Sequence, residues 1–395
     1  MAPLSWWPFL GLVLLAAVLF KVYPLAAFAL MLLAISALAH WWQRRALDEV
    51  GFQRRMVYRR GFPGEKIEVR IEVENRKFLP LPWLRVQDLL PSAVGPEEDN
   101  LLKPTHSPEL GLLVSLFSLR WYERDRRAYT LLLRKRGIYR MGPATIDSGD
   151  LFGLFEQVQE REAHDYLTVF PEPLPFQSLR LPTGDPFGDQ RARRRLFEDP
   201  NQPMGVRDYQ PDDDFRRIHW PATARTGALQ VKVFQPVSAR VLVMCLNVST
   251  FPHYWEGTLP ELLEYLVRVT ATLVEQALRD GYRVGLISNG CLAHADQPFR
   301  VPPGRSPGQL AHLLTALAGV TPLVTGPFDR VLMSQVPRMP YGATLVVVTG
   351  VMTDDLTETL SRLKQHGWRI TLLCFAKQAP PSIPGVKVMH LPFIA

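Results

Sequence analysis

At 395 residues, with 47% apolar and 21% charged side chains, the chain is too apolar to remain disordered and long enough for two folded domains plus a further segment. Three cysteines exclude a disulfide-dense scaffold, and Cys245 and Cys374 lie in apolar runs, which predicts a reduced compartment. The formal charge of +7 and the basic run Arg191, Arg193, Arg194 and Arg195 come with no recognisable nucleic-acid module, so no nucleic-acid partner is expected.

Residues 4–42 are almost wholly apolar, with Lys21, Tyr23 and Pro24 in the middle of the run. As one helix the run would be roughly 58 Å long, nearly twice a hydrocarbon core of about 30 Å. Two spans, Leu4 to Phe20 and Leu25 to Trp42, place Lys21 in the turn. That avoids the roughly 2.5 to 3.5 kcal/mol that a lysine costs at mid-membrane. Trp6, Trp7, Trp41 and Trp42 then fall at interface depth. A cleaved signal peptide ending near Ala37-Leu38-Ala39 fits less well, because there is no basic n-region and Lys21 and Pro24 interrupt the apolar run. Arg44, Arg45, Arg54 and Arg55 follow the second span, so the positive-inside rule places the remainder in the cytoplasm. Residues 1–45 therefore predict a two-span anchor in the cell (inner or plasma) membrane, with lipid as its partner.

Residues 46–170 read as short strands and turns. Lys66 to Glu74 alternates, with Ile67, Val69, Ile71 and Val73 on one face and charges on the other, the pattern of a half-buried antiparallel strand. Runs at Leu84 to Leu89, Ala128 to Arg134 and Leu167 to Phe170 complete the expectation of an all-β, Ig-like sandwich. Residues 91–120 have no clear period.

Residues 171–236 form a linking segment that carries the densest motif, Gly205 to Pro236: GVRDYQPDDDFRRIHWPATARTGALQVKVFQP. Two readings are open. In one, Tyr209 and Trp220 pack beneath a turn and Asp213 pairs with Arg207, Arg216 or Arg225. In the other, Arg207, Arg216, Arg225 and Lys232 form a basic surface for an acidic partner, with His219 hydrogen-bonded or pH-sensitive. The order Arg207, Tyr209, Pro211, Asp213, Arg216, Ile218, His219, Trp220, Thr223, Ala224, Arg225, Gly227, Leu229, Val231 and Lys232 resembles the signature of the bacterial family called domain of unknown function 58. Members usually have Pro-Gly-Asp where this chain reads Pro211-Asp212-Asp213, so the turn is expected to be of a different type.

From 237 to 395 the period changes. Val241 to Leu246, Val284 to Ile287, Leu345 to Val348 and Ile370 to Phe375 are continuous apolar runs, as in strands buried on both faces. Helical spacing lies between them, at Leu262, Leu266, Val269, Leu273 and Ala277 and again at Leu356, Leu360 and Leu363. Thr258 with Glu261, and Ser306 with Gln309, are placed as capping boxes. The alternation predicts a doubly wound α/β domain and resembles a von Willebrand factor A-like domain. Such domains hold a divalent metal through Asp-x-Ser-x-Ser and a later threonine and aspartate, because hard cations need several oxygens. Here the corresponding positions are Asn247, Ser249 and Phe251, then Thr349-Gly350, so the site is degenerate and no metal is expected.

No Walker A loop, Cys-x-x-Cys or His-Glu-x-x-His is present. Gly304-Arg305-Ser306-Pro307-Gly308 fits the nucleophile elbow only formally, since Pro307 lacks the N–H that the oxyanion hole requires. No cofactor and no enzyme activity are expected. The sequence predicts a membrane-anchored scaffold or adaptor, against an alternative of a hydrolase using Asp213 and His219. Members of the resembled family are commonly encoded beside MoxR-type AAA ATPases, and the resemblance implies such a partner.

Overall fold

The computed structural model describes residues 7–150, 155–179, 197–211, 213–237, 241–293, 295, 297–340 and 342–393. It divides the chain into two compact units, Met1–Val169 and Phe170–Ala395. Trp6, the arginine run 191–195 and Asp212 lie outside the described residues.

The first unit opens with an antiparallel hairpin of α1 (Trp7–Leu19) and α2 (Tyr23–Ala46). Lys21 sits in the turn with φ of 53°. Pro24 in the first turn presets the helix entry, and Arg44 and Arg45 in the last turn suit the negative end of its dipole. Among the described residues α2 is the helix long and apolar enough to cross a membrane; α1, with 13 residues, is about 20 Å long, short of a hydrocarbon core. The rings of Trp7 and His40 meet edge to face at 5.6 Å, so the start of α1 lies beside the end of α2.

Eleven strands follow among the described residues. The first six are β1 (Val50–Met56), β2 (Arg60–Gly61), β3 (Lys66–Asn75), β4 (Leu81–Pro91), β5 (Leu102–Pro104) and β6 (Leu110–Leu119). Then come β7 (Arg124–Leu132), β8 (Gly137–Met141), β9 (Ala144–Gly149), β10 (Glu156–Arg161) and β11 (Asp165–Val169). They form three sheets, ordered β1-β3-β7, β10-β9-β4-β6-β5 and β2-β11-β8. The predicted alternation of β3 is present, with Ile67, Val69, Ile71 and Val73 all buried. They share one core with Leu84 and Val86 of β4, Leu113 of β6 and Leu167 of β11. Residues 91–120, which showed no period, contain β5 and β6.

One polar cluster crosses this core. The Arg54 side chain on β1 is fully buried, yet its Nε donates to Asp88 Oδ2 of β4 at 2.8 Å and its Nη2 to Asp88 Oδ1. Its Nη1 donates to Asp165 Oδ2 of β11 at 2.9 Å and to the Ala163 carbonyl at 3.2 Å. Arg54 was expected to orient the chain in the membrane as a juxtamembrane charge; it instead joins three sheets.

The second unit contains β12 (Phe197–Asp208), α3 (Trp220–Thr226) and β13 (Gln230–Val237), in which β12 and β13 form a two-stranded antiparallel ribbon. Then follow β14 (Val241–Leu246), α4 (Pro260–Arg279), β15 (Arg283–Leu292), β16 (Pro298–Gly304), α5 (Gln309–Ala318) and β17 (Val320–Val324). The chain continues with α6 (Phe328–Gln335), β18 (Thr344–Thr349), α7 (Asp354–Gln365), β19 (Arg369–Cys374) and β20 (Lys387–His390). The seven-stranded sheet runs β16-β15-β14-β18-β19-β20, with β17 also on β15. Strands β15, β14, β18, β19 and β20 are parallel and β16 and β17 antiparallel to β15. All six residues of β14 and of β18 are buried, as the continuous apolar runs require. Cys245, Cys291 and Cys374 are buried and form no disulfide.

Two expected capping boxes are absent. Helix α4 begins at Pro260, so Thr258 lies too early to cap it, and its hydroxyl donates to the Pro322 carbonyl at 3.3 Å. Helix α5 begins at Gln309, whose amide is drawn inward to the carbonyls of Val284 and Pro302, at 2.9 and 3.0 Å.

Replacing Arg54 by methionine leaves Asp88 buried without its counter-ion and is expected to cost about 3 to 5 kcal/mol. Arg54→Lys restores the charge without the fork and recovers only part. The denaturation midpoint of the detergent-solubilised chain measures both; wild-type-like values for Arg54→Met would show that the cluster does not hold the sheets.

Candidate functional site

The signature segment folds as strand, turn, short helix and returning strand, with its polar groups in two sets. Arg207, at the end of β12, forks onto Asp213, with Nη1 to Oδ2 at 2.6 Å and Nη2 to Oδ1 at 2.5 Å. Asp213 also accepts from the Gln210 N–H at 2.9 Å, and its own N–H donates to the Gln210 carbonyl at 2.9 Å. One carboxylate therefore closes the turn and ties it to β12. The Arg207 guanidinium, then the Gln210 N–H, holds the Asp213 carboxyl below the usual range.

His219 is a helix cap. Its Nδ1 accepts from the Ala222 N–H at 3.0 Å, and its own N–H donates to the Gln230 carbonyl at 2.8 Å. An accepting Nδ1 carries no proton, so a neutral ring presents an N–H at Nε2 rather than a lone pair for general-base work. Among the described residues no hydrogen bond joins His219 to Asp213 or Asp214. Asp214 instead accepts from the Arg216 N–H at 3.0 Å, and Thr223 Oγ1 accepts from the Gln230 N–H at 3.0 Å. Gly227, with φ of 72°, ends α3 in the left-handed region that only glycine enters freely. Ile218 and Val231 are buried and bridge the turn to β13.

The second set faces outward. One of the two readings puts Trp220 beneath the turn; instead it takes the first position of α3, before Pro221, and is 66% exposed. Phe215 is 69% exposed and lies 5.5 Å from the Tyr209 ring. Arg216 and Arg225 are exposed as well, and Lys232 is half-buried. Asp213 thus chooses Arg207 among its three expected partners.

At the carboxyl edge of the large sheet, between β14 and β18, the positions matching a metal site form a closed network. Asn247 Nδ2 donates to Thr349 Oγ1 at 3.0 Å, and the Thr349 hydroxyl donates to the Val351 carbonyl at 2.6 Å. Asn247 Oδ1 accepts from the Ser249 N–H at 3.0 Å. Asn289 of β15, which the sequence reading missed, completes it: Oδ1 accepts from the Val248 N–H at 2.9 Å, and Nδ2 donates to Ser249 Oγ at 3.1 Å and the Gly326 carbonyl at 3.2 Å. Its signal was three small or polar residues, Ser288-Asn289-Gly290, inside an apolar strand. An amide N–H points where a cation would need oxygen. Gly350 adds a steric bar, since a Cβ there would lie 2.8 Å from Leu262 Cδ2.

A cleft of about 700 Å³ that includes Asn247 and Ser249 of this network is lined also by Phe251, Tyr254, Trp255, Thr353, Asp354 and Asp355. Thr353 caps α7 and the two aspartates occupy its first turn, where they suit the dipole. No group of three or more potential metal-binding side chains occurs among the described residues.

Residues 205–391 match the family described as protein of unknown function DUF58. The match includes the whole signature segment and most of the parallel sheet. The uncharacterized protein YeaD of Bacillus subtilis (strain 168) is 23% identical over 318 residues, covering 78% of this chain and 72% of its own length. An alignment of that length reaches beyond the family match into the first unit. Among solved structures, the CARDB domain of a Pyrococcus furiosus protein is 12% identical, covering 30% of this chain and 91% of its own, with a TM-score of 0.21. A cohesin module from Clostridium perfringens is likewise 12% identical, over 30% of this chain and 96% of its own, at 0.22.

Removing the cap by His219→Ala is expected to cost about 1 kcal/mol, whereas His219→Asn, which can accept the same N–H, should stay near wild type. Equal losses in denaturation would show that the ring is needed for something else. Asn247→Ala strands the Thr349 and Ser249 groups and should cost about 1 to 3 kcal/mol. Millimolar magnesium or manganese is expected to leave the melting temperature of the wild-type chain unchanged; a metal-dependent rise would mean that oxygen ligands assemble elsewhere on this edge.

Proposed function

We propose that this chain is a membrane-anchored cytoplasmic adaptor whose signature segment docks a protein partner with an acidic surface, in the cell membrane of a bacterium. The observation that carries the reading is the split within the signature. Asp213, His219, Thr223 and Gly227 build the frame, while Phe215, Trp220, Arg216 and Arg225 are left exposed on it. Exposed aromatic rings and arginines are the residue types that dominate interface energies.

In this reading α1 and α2 are two spans, and Arg44 and Arg45 keep the following units in the cytoplasm. The second unit is a von Willebrand factor A-like domain without its metal. The parallel order with β14 at the centre, helices between the strands and the Asn247 position at the switch point support that assignment. The partner implied by the family resemblance is a MoxR-type AAA ATPase, which would supply the nucleotide chemistry for which this chain has no phosphate loop. Catalysis by Asp213 and His219 is not favoured, because the first is engaged by Arg207 and the second by the helix it caps.

Co-purification of the full-length chain with the cognate ATPase in detergent tests this. Association is expected at low salt and should weaken toward 1 M, where the screening length falls from about 10 Å to about 3 Å. Arg216→Glu, Arg225→Glu and Trp220→Ala should each reduce it at least several-fold. Absence of association in every nucleotide state would remove the partner; wild-type binding by all three variants would move the docking surface elsewhere.

A further inference from the structure

The chain leaves α2 and enters β1 at Leu47 to Glu49, and two turns of the β-domain lie at that same end. Val50 at the start of β1 pairs with Asn75 at the end of β3, which leads into the turn 76–80. Leu119, ending β6, pairs with Leu81, starting β4, and Arg124, starting β7, pairs with Glu74. The turns 76–80 and 120–123 and the end of α2 are therefore neighbours, and hydrogen bonds lock them together. The Arg76 N–H donates to the Glu49 carbonyl at 3.1 Å and the Tyr122 N–H to the Lys77 carbonyl at 3.2 Å. Asn75 Nδ2 donates to the carbonyls of Leu79 and Arg120, at 2.9 and 2.8 Å. Lys77 Nζ reaches the carbonyls of Ala46 and Asp48, both at 2.5 Å, at the last turn of α2.

On this rim three large rings are exposed: Phe78 by 73%, Trp121 by 56% and Tyr122 by 68%. Phe78 and Trp121 stack, with centroids 5.7 Å apart and planes 13° from parallel. Burying rings of this size is strongly favourable, so a cluster held open by hydrogen-bonded turns has a strong reason to be covered. The charges beside it are net basic: Arg44, Arg45, Arg76, Arg120 and Arg124 are exposed and Lys77 is half-buried, against Asp48, Glu49, Glu74 and Glu123, of which Glu74 is paired with Arg76 and Arg124. Aromatic rings next to arginines are the chemistry that settles at lipid headgroups. Position selects the occupant. The rim is bonded to the end of the membrane-length helix, so it lies within a side chain's reach of wherever that helix leaves the bilayer, and a protein partner would have to wedge between the two.

We propose that Phe78, Trp121 and Tyr122 form a second membrane contact, seated in the headgroup region of an anionic bilayer beside the exit of α2, which holds the β-domain at a fixed attitude to the membrane. This rests on the reading of α2 as a span, and the test separates the two. The full-length chain is reconstituted into vesicles of phosphatidylcholine and phosphatidylglycerol carrying a nitroxide near the headgroup or along the acyl chain. A fluorophore is placed on Tyr122→Cys, on Leu30→Cys of α2, or on His106→Cys in the loop joining β5 to β6 at the opposite end of the domain. The native cysteines are buried. Leu30 is 59% exposed on the helix and reports the span. The expected result is headgroup quenching at position 122 several-fold above that at 106, with deep quenching at 30. Adding Phe78→Ser and Trp121→Ser should cut the signal at 122 several-fold and leave that at 30 unchanged. Quenching at 122 no greater than at 106, with 30 quenched, overturns the docking rim; an unquenched 30 overturns the span and this proposal with it.

Discussion

A guanidinium taken fully out of water is tolerable only while its donors are met, and that constraint organises the first unit. The fork of Arg54 onto Asp88 and its bonds to Asp165 and the Ala163 carbonyl reach from β1 to β4 and β11, one strand from each of three sheets. Apolar burial is strong and without direction, so many stackings of those sheets would bury Ile71, Leu84 and Leu167 about as well. The cluster supplies the missing direction, because a slip that moves β1 against β4 leaves a buried charge unpaired, at a cost larger than several lost methyl contacts. The carboxyl edge of the parallel sheet obeys the same rule with neutral groups. There Asn247, Asn289, Ser249 and Thr349 satisfy one another and the surrounding backbone.

That economy bears on function. Several polar side chains suited to bond-making chemistry are engaged by the fold: Asp88 and Asp165 by Arg54, Asp213 by Arg207, His219 by a helix end, Asn247 by Thr349. Exposed on the frame are aromatic and cationic groups: Phe215, Trp220, Arg216 and Arg225 on the signature, Phe78, Trp121 and Tyr122 near the anchor. Side chains of those kinds make contacts and seldom make or break bonds, which supports the adaptor proposed here over the alternative of a hydrolase using Asp213 and His219.

The sequence showed an element wherever one physical signal dominated it. Strand β3 alternates because one face is core and the other water, and β14, β18 and β19 read as apolar runs because both faces are covered. Strand β6 escaped notice because its buried side includes Gly111 and Ser115 while Leu116 lies outside, 55% exposed, which erases the alternation. The failed capping boxes show the limit of local rules, since Pro260 set the start of α4 and distant strand carbonyls claimed Gln309. Within the site, the amide Asn247 at the carboxylate position was visible, but the second amide of the network, Asn289, comes from a strand about forty residues away and only the sheet brings it near. Trp220 was misjudged because a tryptophan is usually covered; its exposure follows from a helix start that no spacing rule located.

The signature segment differs from both cores in how little holds it. A two-stranded ribbon and a helix of seven residues are each marginal alone in water, and the Arg207 fork is itself 44% exposed. Surface ion pairs weaken with salt, so ionic strength acts on this segment twice: on any acidic partner that meets Arg216 and Arg225, and on the turn that presents them. The two effects have different residues behind them. Charge reversal at Arg216 or Arg225 changes the outer surface and leaves the fork of Arg207 onto Asp213 in place, whereas removing Asp213 opens the turn without altering the exposed arginines. A salt dependence that survives reversal of both arginines therefore belongs to the frame, and one that disappears with them belongs to the contact.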